Sequence, residues 1–184
     1  MWTHYFYTVL GCSYTFPSYP YTLNNVPVSL YLITISYFHL YHLVSNTLVR
    51  VVYRINTNKP VVVQHVIVGT FIFVLSYFLS FAETFTIQHF PYYVIPNRYD
   101  MYVVGSAFYA IYFIYSFPFY YVIDEQLNQS HSISYVFMLS MTACMCVTMT
   151  CDFWRLIGPN LAPNNNYNTN KSHHTLPWLT HELA

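Results

Sequence analysis

Residues 61–85 decide the fold of this chain, and they read VVVQHVIVGTFIFVLSYFLSFAETF. The run is mostly apolar over its whole length and contains a single carboxylate, Glu83, close to its end. A helix needs about 20 mostly apolar residues to cross the roughly 30 Å hydrocarbon core of a bilayer. The run therefore predicts a membrane-spanning helix that begins after the polar loop 56–60.

Three further segments, residues 26–46, 102–123 and 133–151, have the length and composition of spanning helices. Pro27 is tolerated in an opening turn, and Pro118 is expected to bend the last turns of the third helix. Residues 1–7 read like the end of one more helix. We therefore predict an all-α, polytopic membrane helix bundle over residues 1–157, with about four transmembrane helices and a partial N-terminal one. A polar, Asn-rich tail follows at 158–184.

Composition supports the membrane assignment and excludes other classes of protein. Only 7% of the residues are charged, whereas soluble domains carry about 25%. A formal net charge of zero and the lack of a basic stretch exclude a nucleic-acid-binding protein. Aromatic residues make up 21%, which suits membrane interfaces or a pocket for a flat, bulky apolar ligand. The cysteines lack the spacing of a metal site and are interpreted as structural or incidental thiols.

The few charges predict an orientation in the membrane. Arg50, Arg54 and Lys59 lie in or near the loop between the first two helices, whereas the next loop is almost neutral. The positive-inside tendency places the first of these loops in the cytosol. Asp124 and Glu125 follow the third helix and are then expected on the same side as Arg50.

Polar side chains indicate which helix faces turn inward, because lipid is as apolar as the interior of a bundle. On the second helix they fall within an arc of about 60° at 100° per residue. The third helix has a similarly narrow polar arc, and the first helix has a broader one, so three helices offer polar faces to a shared interior. In the order just given, the sets are His65, Gly69, Ser76, Ser80 and Glu83; Gly105, Tyr109, Tyr112 and Ser116; and Ser29, Ser36, His39, His42 and Asn46.

Glu83 is the strongest candidate for a catalytic residue. It is the only carboxylate inside any of the four predicted spanning segments, and Phe81 and Phe85 lie near it in the sequence. Apolar surroundings disfavour the charged form of a carboxyl, so Glu83 can stay protonated near neutral pH and act as a proton donor. The alternative is a helix-end glutamate at the lipid headgroups, either paired with Arg98 or solvated.

The other candidates fit structural as well as chemical roles. His39 and His42 lie three residues apart and suit polar packing, acid–base work or, with further ligands that no motif supplies, a metal site. The tyrosines of the third helix suit core packing or the lining of a cavity. Asp152 and Arg155 are most simply a helix-end ion pair.

A series of ordered sequence blocks carries a family resemblance over nearly the whole chain. They include WTHYF at 2–6, SYTFPS at 13–18, NNVP at 24–27, YH at 41–42, LSYF at 75–78, ET at 83–84, FPYY at 90–93, FYAIYFI at 108–114, SFP at 116–118, DFWRL at 152–156 and LPW at 176–178. In this order and spacing they resemble the cycloeucalenol cycloisomerases, a family of cyclopropyl-sterol isomerases.

The resemblance implies a sterol-biosynthesis enzyme of the endoplasmic reticulum membrane that opens the 9β,19-cyclopropane ring of cycloeucalenol to give obtusifoliol. This isomerisation needs no cofactor, because it consists of protonation at the ring methylene and loss of an adjacent proton. For that chemistry we expect Glu83 to be the acid and His42 the base or proton relay. Tyr77, Tyr109 and Tyr112 are expected to contact the sterol and to stabilise the intermediate cation.

The family also has further membrane helices ahead of the WTHYF block, so we expect this chain to be an N-terminally short member. Two other functions stay open at this point. One is a non-catalytic, truncated sterol-binding membrane protein. The other is a small transporter with Glu83 and His42 on a proton path, against which the absence of internal repeats argues.

Overall fold

Helices dominate the computed structural model, which describes residues 2–17, 21–23, 26–87, 89–125 and 131–162. Most of the predicted polar tail, residues 163–184, therefore lies outside the described residues. The elements in chain order are α1 Trp2–Thr8, β1 Ser13–Tyr14, β2 Thr22–Leu23, β3 Val26–Pro27, α2 Val28–Ile55, α3 Val61–Ile87, β4 Tyr93–Val94, α4 Arg98–Asp100, a π-helical segment Met101–Gly105, α5 Ser106–Glu125 and α6 Ile133–Ile157.

Within the described ranges, four helical segments are long and apolar enough to cross a membrane by length and composition, namely α2, α3, the stretch Arg98–Glu125 and α6. This confirms the predicted all-α polytopic bundle, and the chain is a multi-pass membrane protein. Large apolar side chains such as Leu32, Phe73 and Met145 are exposed on the outside of the helices, where the hydrocarbon of the bilayer would surround them. The predicted partial helix at the N-terminus is α1.

Helix α2 is longer than the sequence predicted. We expected its polar residues Asn46 and Arg50 to end it, but it continues to Ile55. The reason is that α5 satisfies these groups: the Asn46 side-chain amide and the Arg50 guanidinium each donate to Asp124 at 2.7 Å. Arg50 also pairs with Glu125. These contacts confirm that both carboxylates lie at the Arg50 end of the bundle.

Helix α5 is the centre of the bundle, since it contacts α2, α3 and α6. Two buried apolar clusters meet along it. One cluster joins α5 to α1, the π-helical segment and α6, and the other joins it to α2 and α3. Their members include Tyr5, Phe6, Met101, Phe108 and Cys151 in the first cluster, and Val49, Ile72, Leu75, Phe113 and Phe117 in the second.

A short antiparallel ladder closes the end of the bundle where α3 stops. It pairs Ser13 with Val94 and Tyr14 with Tyr93, and Tyr14 stacks on Phe6 at a centroid distance of 4.6 Å. The segment after α1 is thereby fastened to the α3–α4 connection. Two-residue strands leave no periodic pattern in a sequence, which is why this ladder was not predicted.

The predicted inward faces are partly wrong. On α2, Ser29, Ser36 and His39 are exposed, and on α3 His65 and Gly69 are exposed as well. The two exposed histidines are satisfied within their own helices, because the Nδ1 atoms of His39 and His65 each lie 2.7 Å from the carbonyl oxygen four residues earlier.

The remaining parts of the predicted faces turn inward. Ser76, Ser80, Gly105 and Tyr109 are buried, while Glu83, Tyr112 and Ser116 are half-buried. On α2 the buried positions are Ser45, Asn46 and Val49. The shared polar interior is therefore formed by the second half of α3, by α5 and by the second half of α2.

Candidate active site

Glu83 lies one turn before the end of α3, on the face that α3 turns towards α5. The Tyr109 hydroxyl donates a hydrogen bond of 2.8 Å to Glu83 Oε2, and Tyr41 of α2 approaches the same carboxyl with its hydroxyl. The glutamate is thus held by tyrosines from two neighbouring helices. It is not paired with Arg98, which was the alternative for a helix-end glutamate.

The pairing of α3 with α5 explains why Glu83 and Tyr109 meet. The two helices are antiparallel neighbours, and next to this pair the Ser106 hydroxyl lies 3.3 Å from the Thr84 hydroxyl. Both of these residues are fully buried. Their contact holds the two helices in the register that places the Tyr109 hydroxyl against the Glu83 carboxyl.

Two cavities meet at Glu83. The first, which we call the inner cavity, has a volume of about 300 Å³ and lies between α2, α3, α5 and the N-terminal segment. The second, the outer cavity, has a volume of about 450 Å³ and lies on the other flank of α2. Four residues line both cavities and so lie at the boundary between them, namely Leu30, Glu83, Ile87 and Tyr93.

The walls of the two cavities are aromatic, aliphatic and hydroxyl-bearing. The inner cavity is lined by Tyr14, Tyr31, Thr34, Thr84, Met101 and Tyr112, among others, and the outer one by Phe16, Ile33, Tyr37, Tyr41, Thr86 and Phe90. Among the described residues that line them, Glu83 is the sole carboxylate, and no histidine, lysine, arginine or cysteine is present. A carbocation formed in either cavity would therefore lie against the faces of aromatic rings, which attract cations.

Tyr93 supplies a hydroxyl group at the boundary between the two cavities. It lies in the α3–α4 connection, outside the spanning helices. Burial, followed by the charge of Glu83 nearby, raises the pKa of Tyr93 above that of an exposed tyrosine. The phenol therefore stays neutral at physiological pH and remains a hydrogen-bond donor.

The structure brings three of the five predicted site residues together and leaves two apart. Tyr109 contacts Glu83 directly, and Tyr112 lines the inner cavity. His42 lines neither cavity, because its ring packs against Phe117 and Tyr120 at centroid distances of 5.3 and 4.9 Å.

Tyr77 also lines neither cavity and is exposed on α3. At the other end of the chain, the predicted Asp152–Arg155 ion pair is present at 3.9 Å. Asp152 additionally accepts a hydrogen bond of 2.8 Å from the Tyr5 hydroxyl. This contact ties α1 to α6, so the pair has a structural role.

Sequence reasoning missed Tyr41 and Tyr93 as site residues. Tyr41 was passed over because its neighbour His42 shared the polar side of α2, although Tyr37 and Tyr41 lie one turn apart on another face of that helix. This aromatic spacing was the signal that could have found Tyr41. Tyr93 reaches Glu83 through the β1–β4 ladder, for which the sequence holds no such signal.

Comparison with known proteins finds a curated relative. The sequence is 40% identical over 180 residues to the curated cycloeucalenol cycloisomerase of Arabidopsis thaliana. The aligned region covers 97% of this chain and 63% of that relative. No protein-family model matches the sequence, and no solved structure matches it.

Proposed function

We propose that the chain is a member of the cycloeucalenol cycloisomerase family, since it is 40% identical over 180 residues to the curated cycloeucalenol cycloisomerase of Arabidopsis thaliana, and that it is a sterol isomerase of the endoplasmic reticulum membrane. Its reaction opens the 9β,19-cyclopropane ring of cycloeucalenol and gives obtusifoliol. One observation carries this proposal: a lone carboxyl, bonded to a tyrosine hydroxyl at 2.8 Å, lies where two apolar, aromatic-walled cavities meet. Opening a strained ring with acid needs this combination.

Glu83 is the proton donor in the proposed mechanism. The proton passes from the carboxyl to the methylene of the cyclopropane, whose bond to the ring carbon breaks and leaves a methyl group. Glu83 becomes a carboxylate at that moment, and the hydrogen bond from Tyr109 stabilises this charge. A positioned acid of this kind contributes about 10²- to 10⁴-fold to a rate.

The intermediate is a tertiary carbocation in an aromatic chamber. Tyr109 and Tyr112 line the inner cavity, and their ring centroids are 6.0 Å apart. Ring faces attract a cation without adding to it, so the cation survives until a proton is lost. Tyr109 and Tyr112 are thus the substrate-contacting aromatic residues, and Tyr77 and His42 are not used.

We assign the final proton to Glu83 as well. Loss of a hydrogen from the carbon next to the cation forms the 8(9)-alkene. Among the described residues that line the cavities, Glu83 is the sole acid–base group besides the tyrosines. The carboxylate left by the first step can accept this proton, so the enzyme returns to its starting state without an external acid.

The direct test compares two Glu→Gln variants of the purified chain. Glu83→Gln is expected to lower turnover of cycloeucalenol by about 100-fold or more and to keep sterol binding. Glu125→Gln, the same change at the opposite end of the bundle, is expected to keep both. Near-normal turnover by Glu83→Gln would remove Glu83 from the role of acid.

A cellular test separates the enzyme from a non-catalytic sterol-binding protein. The chain is expressed in sterol-producing cells that lack cyclopropyl-sterol isomerisation, and their sterols are profiled. We expect obtusifoliol to appear. Unchanged accumulation of cycloeucalenol, in the presence of the folded protein, would instead identify a sterol-binding protein without the activity.

A further inference from the structure

We infer that Tyr41 is a positioning residue of the reaction, whose hydroxyl donates to the Glu83 carboxylate once the proton has passed to the sterol. Tyr41 belongs to α2, whereas Tyr109, the tyrosine already bonded to Glu83, belongs to α5. The inference deepens the proposed function and rests on it, because it takes Glu83 to be the acid.

Tyr41 and Tyr109 meet Glu83 from different helices. Tyr41 lines the outer cavity together with Glu83, and Tyr109 lines the inner cavity together with Glu83. The Tyr41 hydroxyl lies within hydrogen-bonding reach of the carboxyl, to which Tyr109 donates at 2.8 Å. Two phenol groups are therefore available to one carboxyl.

A single buried ring supports both tyrosines. Phe113 lies one turn after Tyr109 on α5 and is fully buried. The Tyr41 ring packs edge-on against Phe113 at a centroid distance of 5.4 Å, and the Tyr109 ring packs against it at 5.3 Å. Side chains packed in this way stay close to one rotamer, so Phe113 keeps both hydroxyls beside the carboxyl.

The surroundings of Tyr41 make the carboxyl its best acceptor. A hydroxyl in apolar surroundings costs free energy unless it is hydrogen-bonded. Among the described residues that line the outer cavity, Glu83 is the sole carboxylate, and the other polar side chains are those of Tyr37, Thr86 and Tyr93. Neutral hydroxyls accept more weakly than a carboxylate, so the Tyr41 hydroxyl is expected to turn to Glu83 when that group becomes charged.

The charge on Glu83 decides how much each bond contributes. A protonated carboxyl uses one of its oxygens as a donor, whereas a carboxylate accepts on both. Tyr109 already donates to Oε2, so a second donor contributes most after the proton has left. Charge-assisted hydrogen bonds are roughly twice as strong as neutral ones. The Tyr41 bond therefore stabilises the charged state more than the resting enzyme, and it raises kcat more than affinity.

Removal of one hydroxyl tests this role, because Tyr41→Phe keeps the ring and its packing against Phe113. Turnover and equilibrium binding of cycloeucalenol are measured on the full chain in lipid nanodiscs. Tyr41→Phe is expected to lower kcat at least about tenfold and to change affinity little. Tyr53→Phe is the matched control on the same helix, since Tyr53 is also half-buried, stacks on Tyr121 and lines neither cavity. Equal kcat values for the two variants would overturn the inference.

The double variant Tyr41→Phe/Tyr109→Phe shows whether Tyr41 acts on the carboxyl itself. If both hydroxyls donate to Glu83, the double variant is expected to lose at least the product of the two single losses in kcat, because each donor partly replaces the other. If Tyr41 only held Tyr109 in place, the double variant would lose no more than Tyr109→Phe alone, and the inference would be wrong.

Infrared spectroscopy separates this inference from the proposed function, because it needs no turnover. The carboxyl band of Glu83 is identified as the band that Glu83→Gln removes. It is expected to shift in Tyr41→Phe and to stay in place in Tyr53→Phe. A shifted band in a chain without turnover would refute the isomerase and retain the contact of Tyr41 with Glu83. Turnover with an unshifted band would refute the role of Tyr41 alone.

Discussion

At the scale of single residues, the contact between Tyr109 and Glu83 matters most for the proposed reaction. The tyrosine is buried, and its hydroxyl reaches the carboxyl at 2.8 Å. A hydrogen bond to a charged group contributes about 1.5–3 kcal/mol. In the proposed mechanism the charge exists only after the proton has left Glu83, so this bond strengthens as the reaction proceeds.

Tyr109→Phe is therefore expected to lower kcat by roughly 10- to 100-fold and to change sterol affinity little. Steady-state kinetics and equilibrium binding measure the two quantities separately. Tyr115→Phe is the control, because Tyr115 lies on the same helix and shares its hydrogen bond with Thr150 of α6. Equal kcat values for the two variants would contradict the role of Tyr109.

The assignment of both proton transfers to Glu83 predicts an isotope result. With a substrate deuterated at the carbon that loses its hydrogen, Glu83 would hold a deuteron after the first turnover. Part of this deuterium is then expected in the new methyl group of later product molecules, provided that turnover outruns exchange of the Glu83 proton with water. Mass spectrometry of the product measures it. Methyl groups entirely free of deuterium would contradict retention of the abstracted proton on Glu83 between turnovers.

Residues of the site could be predicted from the sequence where the evidence for them lies within a single helix. Glu83 stood out because a carboxylate in an apolar run is costly, and Tyr109 followed from its place on the polar face of its helix. His42 was predicted from its place on the polar side of α2 and from the chemistry of imidazole, and packing against Phe117 and Tyr120 places it elsewhere. Tyr41 left only a weak signal, its spacing of one turn from Tyr37, and the packing of α2 against α3 decides that this face of α2 meets Glu83.

At the scale of elements, the π-helical segment Met101–Gly105 directly precedes α5 and contributes to the wall of the inner cavity. Met101 is buried and lines this cavity, and its side chain covers the space beside Gly105. A Cβ atom at Gly105 would displace the methionine side chain. Extra atoms in such a packed place cost about 1–3 kcal/mol, and the flexible Met101 transmits the displacement into the cavity.

Gly105→Ala is accordingly expected to weaken sterol binding several-fold or to lower the melting temperature. Gly69→Ala is the matched control, since nothing lies within 4 Å of the Cβ position at Gly69. There the substitution is expected to be neutral or stabilising, because alanine favours a helix. Thermal unfolding and sterol titration of both variants provide the comparison. Identical behaviour of the two alanine variants would show that the Gly105 contact has no consequence.

At the scale of the whole molecule, the sequence predicted the bundle because four apolar runs have the length that a bilayer demands. It predicted the helix ends less well, because partners on other helices decide whether a polar residue ends a helix. Asn46 and Arg50 show this, since Asp124 accepts hydrogen bonds from both. The closure by β1 and β4 depends on segments about 80 residues apart, and local periodicity holds no record of such pairs.

The two ends of the bundle differ in charge, and this difference predicts the leaflet in which the cavities open. Arg50, Asp124 and Glu125 form the charged end. Glu83 lies near the opposite end, four residues before α3 stops at Ile87. The positive-inside tendency predicts that the charged end lies in the cytosol, so we expect the cavities to open in the leaflet away from the cytosol.

Cysteine labelling tests this orientation with two single variants, Asn58→Cys in the α2–α3 loop and Tyr99→Cys near the cavities. Both positions are exposed in the structure. In sealed membranes with the cytosolic face outward, an impermeant thiol reagent is expected to label position 58 directly and position 99 only after permeabilisation. The unmodified chain controls for its own cysteines. The reverse labelling pattern would place Glu83 in the cytosolic leaflet, and the sterol would then arrive from that side.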